Sequence, residues 1–266
     1  MATHRGLLGS WKTLALFLAA VTVILFSPWT ARAEEEQMAS GAGEVLVAYV
    51  MNEAQPSMAA EESEAELDPW ESFNEPMFRF NKNVVDRFLI KPIAGAWDAL
   101  LPDPVQKGVK NAIENLGFVP RFANNLFQLK WDGARREAAR FALNSTVGLL
   151  GFIDVAKDGL GIQTSDEDFG QTLGVWGAKP GPYLILPFVP PPLTIRDGVG
   201  RVVDAAMNPL TWVLPGSATW GILGTYVINE RSLNLDRYER VEESVVDLYS
   251  AVRNAYLQRR AAAVRE

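Results

Sequence analysis

DEDFGQTLGVWGAKPGPYLILPFVPPPLTIRD, residues 166–197, decides how the rest of the chain is read. Its centre is nearly free of charge and rich in Gly, Pro and large apolar residues, in a chain that otherwise reads as amphipathic helix. Proline removes a backbone donor and glycine opens the left-handed region, so these residues cannot form one continuous helix. Apolar side chains on irregular backbone are unusual, because an unpaired amide is costly away from water. Such a stretch is normally packed inside protein or lines a cavity.

Working outward, Asp197 to Met207 reads as helix. From Ala205 to Asn229 there is no charged residue, yet Pro209, Pro215, Gly216, Gly221 and Gly224 interrupt the run. That stretch is long enough to span a bilayer but too broken for a simple transmembrane helix. Two readings stand: the buried centre of a globular domain, or short helices sunk in a membrane with irregular backbone hidden inside protein. Beyond it, Tyr238, Val241, Val245, Leu248, Val252 and Tyr256 form one stripe, which predicts a single long helix with a charged opposite face.

On the N-terminal side, Thr164 to Asp168 places carboxylates at the start of a short helix through Trp176, where the helix dipole favours them. Asp68-Pro69-Trp70-Glu71 is a helix start, with Asp68 as cap and Pro69 in the first turn. Phe73, Met77, Phe80, Val84 and Phe88 then recur as one stripe, and Pro76 is expected to kink this helix or delay its start. Asp103-Pro104 repeats the start signal before Val105, Val109, Ile113 and Leu116. A helix around Arg121 to Leu129 is expected to end near Asp132-Gly133. Another should run from Ala134 to Val147 and fade into the Gly-spaced run Val147 to Ile153. With no convincing period-2 strand, the class is all-α, with one short hairpin between Tyr183 and Thr194.

The first 33 residues read as a secretory signal: His4, Arg5 and Lys12 are basic, Leu14 to Phe26 apolar, and Ala31-Arg32-Ala33 a cleavage site. An uncleaved signal anchor is the alternative. Ten acidic residues and no basic one lie between Glu34 and Asp68; with the three basic residues before them they account for the net charge of −7, and residues 69–266 are neutral overall. Residues 34–67 read as a disordered acidic tether. The helical domain then covers 68–260, and 261–266 is a tail. No basic field argues for nucleic acid.

His4 is the only histidine and there is no cysteine, so a chain cleaved after Ala33 has neither. That removes Ser-His-Asp and Cys-His catalysis and the usual zinc sites. Asp166, Glu167 and Asp168 lack the spacing of a calcium loop and read as helix-start acids. Gly170, Gly174 and Gly177 follow no strand, so a dinucleotide turn is a weak reading. No cofactor or metal is expected. Arg196-Asp197 could face a lipid headgroup or simply cap a helix, and Phe80-Asn81 could be hinge, core or surface.

DPWESFNEPMFRFN (68–81), Asp86, Lys91-Pro92, FALNSTVGLLGFIDVA (141–156), DFGQTLGVWG (168–177), GPYLILPF (181–188), IRD (195–197) and DLYSAVRNAYLQRR (247–260) are together similar to the MlaA/VacJ family. The resemblance implies a ring-shaped helical domain lying in the inner leaflet of the outer membrane of Gram-negative bacteria. It implies an amphipathic channel through which misplaced outer-leaflet phospholipids reach a soluble periplasmic carrier (MlaC-like), preserving lipid asymmetry, and association with a trimeric porin. It tips the uncharged, broken stretches toward membrane embedding. Typical members carry an acylated Cys at the signal cleavage site and this sequence has none, so retention is expected to rest on apolar burial, worth ~25 cal/mol per Å², and on porin contact. Candidate channel residues are Asn81, Tyr183, Arg196 and Asp197, with Gly181, Pro182 and Pro187 shaping the mouth and Phe80 holding the adjoining helix. The competing functions are a porin-associated structural scaffold and a His-independent lipid hydrolase. The expectation is a conduit, not an enzyme.

Overall fold

The computed structural model describes residues 68–266; the expected signal peptide and acidic tether lie outside the described residues. Helix α1 (Glu71–Phe80), a π-helical stretch (Asn81–Ile90) and α2 (Lys91–Leu100) follow one another without a break. Then come α3 (Asp103–Leu116), α4 (Phe118–Phe127), α5 (Trp131–Thr146), α6 (Val155–Leu160) and α7 (Phe169–Val175). A two-stranded antiparallel sheet, β1 (Tyr183–Leu186) and β2 (Val189–Thr194), precedes α8 (Ile195–Met207), α9 (Leu210–Val213), α10 (Gly216–Leu233), α11 (Leu235–Ser244) and α12 (Leu248–Arg265). The class is therefore helical with one hairpin, and the hairpin lies where the sequence predicted it. Tyr183 pairs with Thr194 and Leu184 with Leu193. Three prolines fit β2 because this sheet has no third strand to receive their missing N–H groups.

Neighbour relations close on themselves. The π-helical stretch joins α1 to α2, α2 packs on α10, α10 on α3, α3 on α4, α4 on α7, α7 on α8, α8 on β2, and β1 returns to α1. This circuit agrees with the ring that the family resemblance implies. Helix α5 backs α3 and α4, and α12 lies along α7.

The partition of side chains is inverted relative to a water-soluble domain. The largest fully buried side chains are Gln106, Glu137, Asn74, Asn124, Asn125, Asn229, Thr172 and Thr194, all polar. Large apolar residues stand outside: Phe88 is 72% exposed, Leu150 78% and Trp212 75%. The apolar stripe of α1 and the π-helical stretch, expected to face a core, instead exposes Phe73, Val84 and Phe88 while Asn74 is completely buried. Periodicity identified the stripe; its direction is the reverse of the usual one.

Buried amides fasten the joints of the ring. Asn74 Nδ2 donates to the Tyr183 carbonyl (2.9 Å) and its Oδ1 accepts the Ile185 N–H (2.9 Å), tying α1 to β1. Asn229 Nδ2 donates to the Gln106 carbonyl (2.9 Å), and Trp97 Nε1 donates to Asn229 Oδ1 (3.0 Å), tying α10 to α3 and α2. Asn124 Nδ2 donates to Asp204 Oδ1 (2.8 Å) while its Oδ1 accepts the Thr172 hydroxyl (2.9 Å), tying α4 to α8 and α7. Buried polar groups with partners on both sides of a joint hold it directionally, and each unmade bond would be costly. The small apolar cluster of Tyr183, Ile185 and Tyr249 supports only one sector, the hairpin under α12.

Several boundaries differ from expectation for identifiable reasons. Asp68 caps a turn rather than α1 itself: its Oδ1 accepts the Trp70 N–H (2.9 Å) and the helix begins at Glu71. Pro76 lies inside α1 and does not delay its start. Asp132 and Gly133, taken as a helix end, occupy the first turn of α5; a Cβ on Gly133 would meet Asn125 Oδ1 at 1.7 Å, so this glycine serves close helix contact. The single long C-terminal helix is broken. Val245 is extended, Val246 is fully exposed, and Asp247 starts α12 by accepting the Ser250 N–H.

Candidate functional site

The residues nominated from the sequence collect at the two ends of the hairpin. At its turn, Asn81 Nδ2 donates to the Leu186 carbonyl (2.8 Å) and Asn81 Oδ1 accepts the Phe188 N–H (3.0 Å). Phe80 meets Phe188 edge to face with ring centroids 5.4 Å apart, and Pro187 is exposed between the strands. Phe188 has φ of 62°, a strained backbone for a bulky residue, so the amide of Asn81 holds a turn that would otherwise relax. Replacing Asn81 by Ala is expected to cost about 1–3 kcal/mol, the penalty for orphaned backbone partners. Amide exchange at Phe188 should accelerate more than exchange within α4; equal protection in both variants would count against the clamp.

At the other end, Gly181 adopts φ of 71°, Pro182 accepts the Ile195 N–H (3.3 Å) through its carbonyl, and the Arg196 N–H reaches the Pro180 carbonyl (3.0 Å). Tyr183 is buried, its ring against Tyr249 and Tyr256. Thr194 caps α8, its hydroxyl oxygen accepting the Asp197 N–H (3.3 Å) while donating to Asp197 Oδ2 (2.9 Å). Arg260 then joins Asp168 through two bonds (2.5 and 2.9 Å) and reaches Asp197 Oδ1 at 2.6 Å. Tyr256 also donates to Asp197. Burial works to raise the Asp197 carboxyl pKa, but Arg260 and the two hydroxyls override it, and the net direction is down. Arg196 is itself buried, its guanidinium near the Ala178 carbonyl (3.4 Å).

The three consecutive carboxylates go three ways. Asp168 caps α7, accepting the Gln171 N–H (2.8 Å), as its position predicted. Glu167 pairs with Lys130 (2.8 Å). Asp166 is exposed, and its carboxylate accepts a bond only from the Thr164 hydroxyl (3.4 Å) among the described residues.

Asp166 belongs to a second group of charged residues, whose other members come from α3, α4, α5, α10 and α12 and were not singled out by the sequence. Lys110 lies 3.9 Å from Glu114 and 3.2 Å from Glu230. Arg121 Nε is 2.7 Å from Glu137. Asp166 feels Arg121, Glu137 and Arg259, while Glu114 feels Lys110, Asp166, Glu230 and Arg121. The Glu114 side chain is 34% accessible, yet surrounding protein raises its pKa to about 7 against only partial relief from Lys110. Burial likewise raises Asp166, with Arg121 opposing and Glu137 adding to the rise. Carboxylates on a convex surface escape such desolvation. In this group the desolvation comes from protein packed around both side chains. No period or motif marks them, because charged residues on a helix face normally read as solvated surface.

A family model described as MlaA lipoprotein matches residues 66–263, the whole ring. The chain belongs to the MlaA family. It is 36% identical to the intermembrane phospholipid transport system lipoprotein MlaA of Escherichia coli over 198 residues, covering 72% of this chain and 76% of that one. It is 34% identical to the protein of the same name in Haemophilus influenzae over 194 residues, again 72% and 76%. A solved MlaA-like structure, reported under "Structural basis for maintenance of bacterial outer membrane lipid asymmetry", aligns with TM-score 0.65 and 31% identity, covering 74% of this chain and 98% of its own. Among the described residues of this MlaA family member, no helix is long and apolar enough to cross a membrane.

Proposed function

We propose that this protein is a phospholipid conduit of the outer membrane. It lies in the periplasm-facing leaflet, admits misplaced outer-leaflet phospholipids into the lumen of the ring, and yields them to a soluble periplasmic carrier, with a trimeric porin beside it. One observation carries the reading: the inverted partition, polar side chains within and large apolar ones without. A ring immersed in acyl chains has no hydrophobic drive toward its own centre, so it is held by polar joints and buries its apolar surface in lipid. Short helices that do not cross the bilayer suit a single leaflet. The names of the relatives, intermembrane phospholipid transport system lipoproteins, fit the same role. The exposed apolar rim, Phe88, Leu150 and Trp212 among it, would bury in acyl chains and help hold the ring in the leaflet.

The described chain moves lipid without altering it. Headgroups travel against the charged lumen, and the Pro/Gly hairpin at 181–188, held by Asn81 and Phe80 and braced by Arg196 and Asp197, shapes one wall of the path. Deleting the gene should raise phospholipid in the outer leaflet and weaken the detergent barrier, with both restored by the intact gene. An outer leaflet of unchanged composition in the deletion strain would sink the proposal.

A further inference from the structure

The unbroken helical run from Glu71 to Leu100 changes its winding in the middle. A π-helix is normally a single-turn bulge inside an α-helix. Here it extends from Asn81 to Ile90, and the Lys91 N–H still bonds five residues back, to the Asp86 carbonyl. Ion pairs to α10 and α11 line one side of it. Lys82 Nζ reaches Glu242 (2.7 Å) and Lys91 Nζ reaches Glu239 (2.7 Å), both on α11. Between them, Asp86 takes the fork of Arg231 from α10, Nε to Oδ1 at 2.9 Å and Nη2 to Oδ2 at 3.1 Å. The Arg231 guanidinium also lies 4.5 Å from the centroid of the Tyr238 ring on α11. A π-turn bonds each residue to the fifth one along, so side chains four to five apart return to one side. An α-helix advances about 100° per residue, which would put Lys82 and Lys91, nine positions apart, on opposite sides. Burial follows the same spacing: Val85 and Ala94 are both buried, while Val84 and Ile93 are both exposed.

From this geometry we propose that residues 81–90 are a winding switch: the Asp86–Arg231 pair, with a lysine pair on either side, holds the π form, and parting it lets the stretch rewind as α-helix. The three pairs are unequal. Lys82–Glu242 and Lys91–Glu239 are solvent-accessible on both partners and worth little each. Asp86–Arg231 is bidentate and the Arg231 side chain is only 7% accessible, so it is the principal tie. Rewinding puts fewer residues in each turn and therefore turns α1 against α2. Those two helices carry different joints. Asn81 holds the hairpin turn through Leu186 and Phe188, whereas Trp97 meets Asn229 on α10. A change of winding between the joints resets one against the other. The inference stands on the fold alone and is independent of the conduit reading.

The 266 residues contain no cysteine, so single cysteines can be placed one at a time from 83 to 94, leaving Asp86 and Lys91 untouched. Each is reacted with a water-soluble maleimide in the purified full chain in detergent, and the rate is read against position. With the natural pair in place, Val85→Cys and Ala94→Cys should both react many-fold more slowly than Leu89→Cys. Asp86→Ala combined with Arg231→Met removes the tie without leaving a charge buried. In that background 85 and 94 should no longer be slow together, and at least one position that was fast should become slow. Only a turned helix produces such an exchange. A profile identical to that of the natural pair overturns the switch, as does one in which positions speed up and none slows, which is melting. Unequal rates at 85 and 94 with the natural pair present overturn the π winding itself. Where the double variant does not fold, Arg231→Lys, which keeps a charge opposite Asp86 but not the fork, decides: it should move the profile part of the way, and an unmoved profile overturns the switch.

Discussion

Glu137→Ala should lower folding stability by about 3–5 kcal/mol, the range for removing one member of a buried, hydrogen-bonded ion pair. The Glu137 side chain is 1% accessible, and its two oxygens serve Arg121 Nε (2.7 Å), the Thr164 hydroxyl (3.0 Å) and the Ser165 N–H (2.8 Å). Three elements are joined there: α4, α5 and the loop that carries Asp166. Alanine would strand a backbone donor, a hydroxyl and a guanidinium, and α5 would no longer hold that loop. Glu137→Gln keeps an acceptor oxygen without the charge and should cost about half as much, since a hydrogen bond to a charged group exceeds a neutral one by roughly that factor. Denaturant unfolding in detergent reads both. Indistinguishable midpoints for wild type and alanine variant would remove Glu137 from its place at the joint.

The second large effect is expected at Asp197. Substitution by Ala deprives Thr194, Tyr256 and Arg260 of an acceptor, and the loss should again be about 3–5 kcal/mol. Because Tyr256 and Arg260 belong to α12, the expected local signature is earlier proteolysis within 248–265 than elsewhere. Asn at this position should recover the Thr194 and Tyr256 bonds and part of the stability. The acid response follows from the sign of the shift. The folded-state carboxyl titrates below its ordinary value of 3.8, so its contribution is fully present above that pH and is lost as the pH falls through the folded value. Wild type should therefore lose stability below about pH 4 more steeply than Asp197→Ala. Parallel acid transitions in the two proteins would contradict this account.

Much of the local structure was readable from residue chemistry. The Asp168 cap, the Asp103-Pro104 start, the α8 helix after Thr194 and the hairpin between Tyr183 and Thr194 all follow from capping, proline and glycine rules acting over a few residues. Where reading failed, a longer-range demand had overridden the local one. Gly133 looked like a stop, yet it sits in the first turn of α5 because Asn125 approaches too closely for any side chain. The stripe from Tyr238 to Tyr256 looked continuous, yet Asp247 found a better use as a cap. The residues nominated for the site were picked by motif, and they gather at the hairpin. The charged group around Arg121 and Glu137 was missed because Lys110, Glu114, Arg121 and Arg259 look on paper like any solvated helix face.

Chain chemistry alone was therefore enough for the helical class, the broken and uncharged central stretches, and the absence of cysteine from these 266 residues. It could not say which way the amphipathic stripes face. A period of 3.6 locates an apolar face but carries no sign, and the sign depends on whether the surroundings are water or acyl chains. Closure supplied that sign: once the elements pack in a circuit through Asn74, Asn124 and Asn229, the polar side of each helix is committed inward and Phe88, Leu150 and Trp212 are left on the rim.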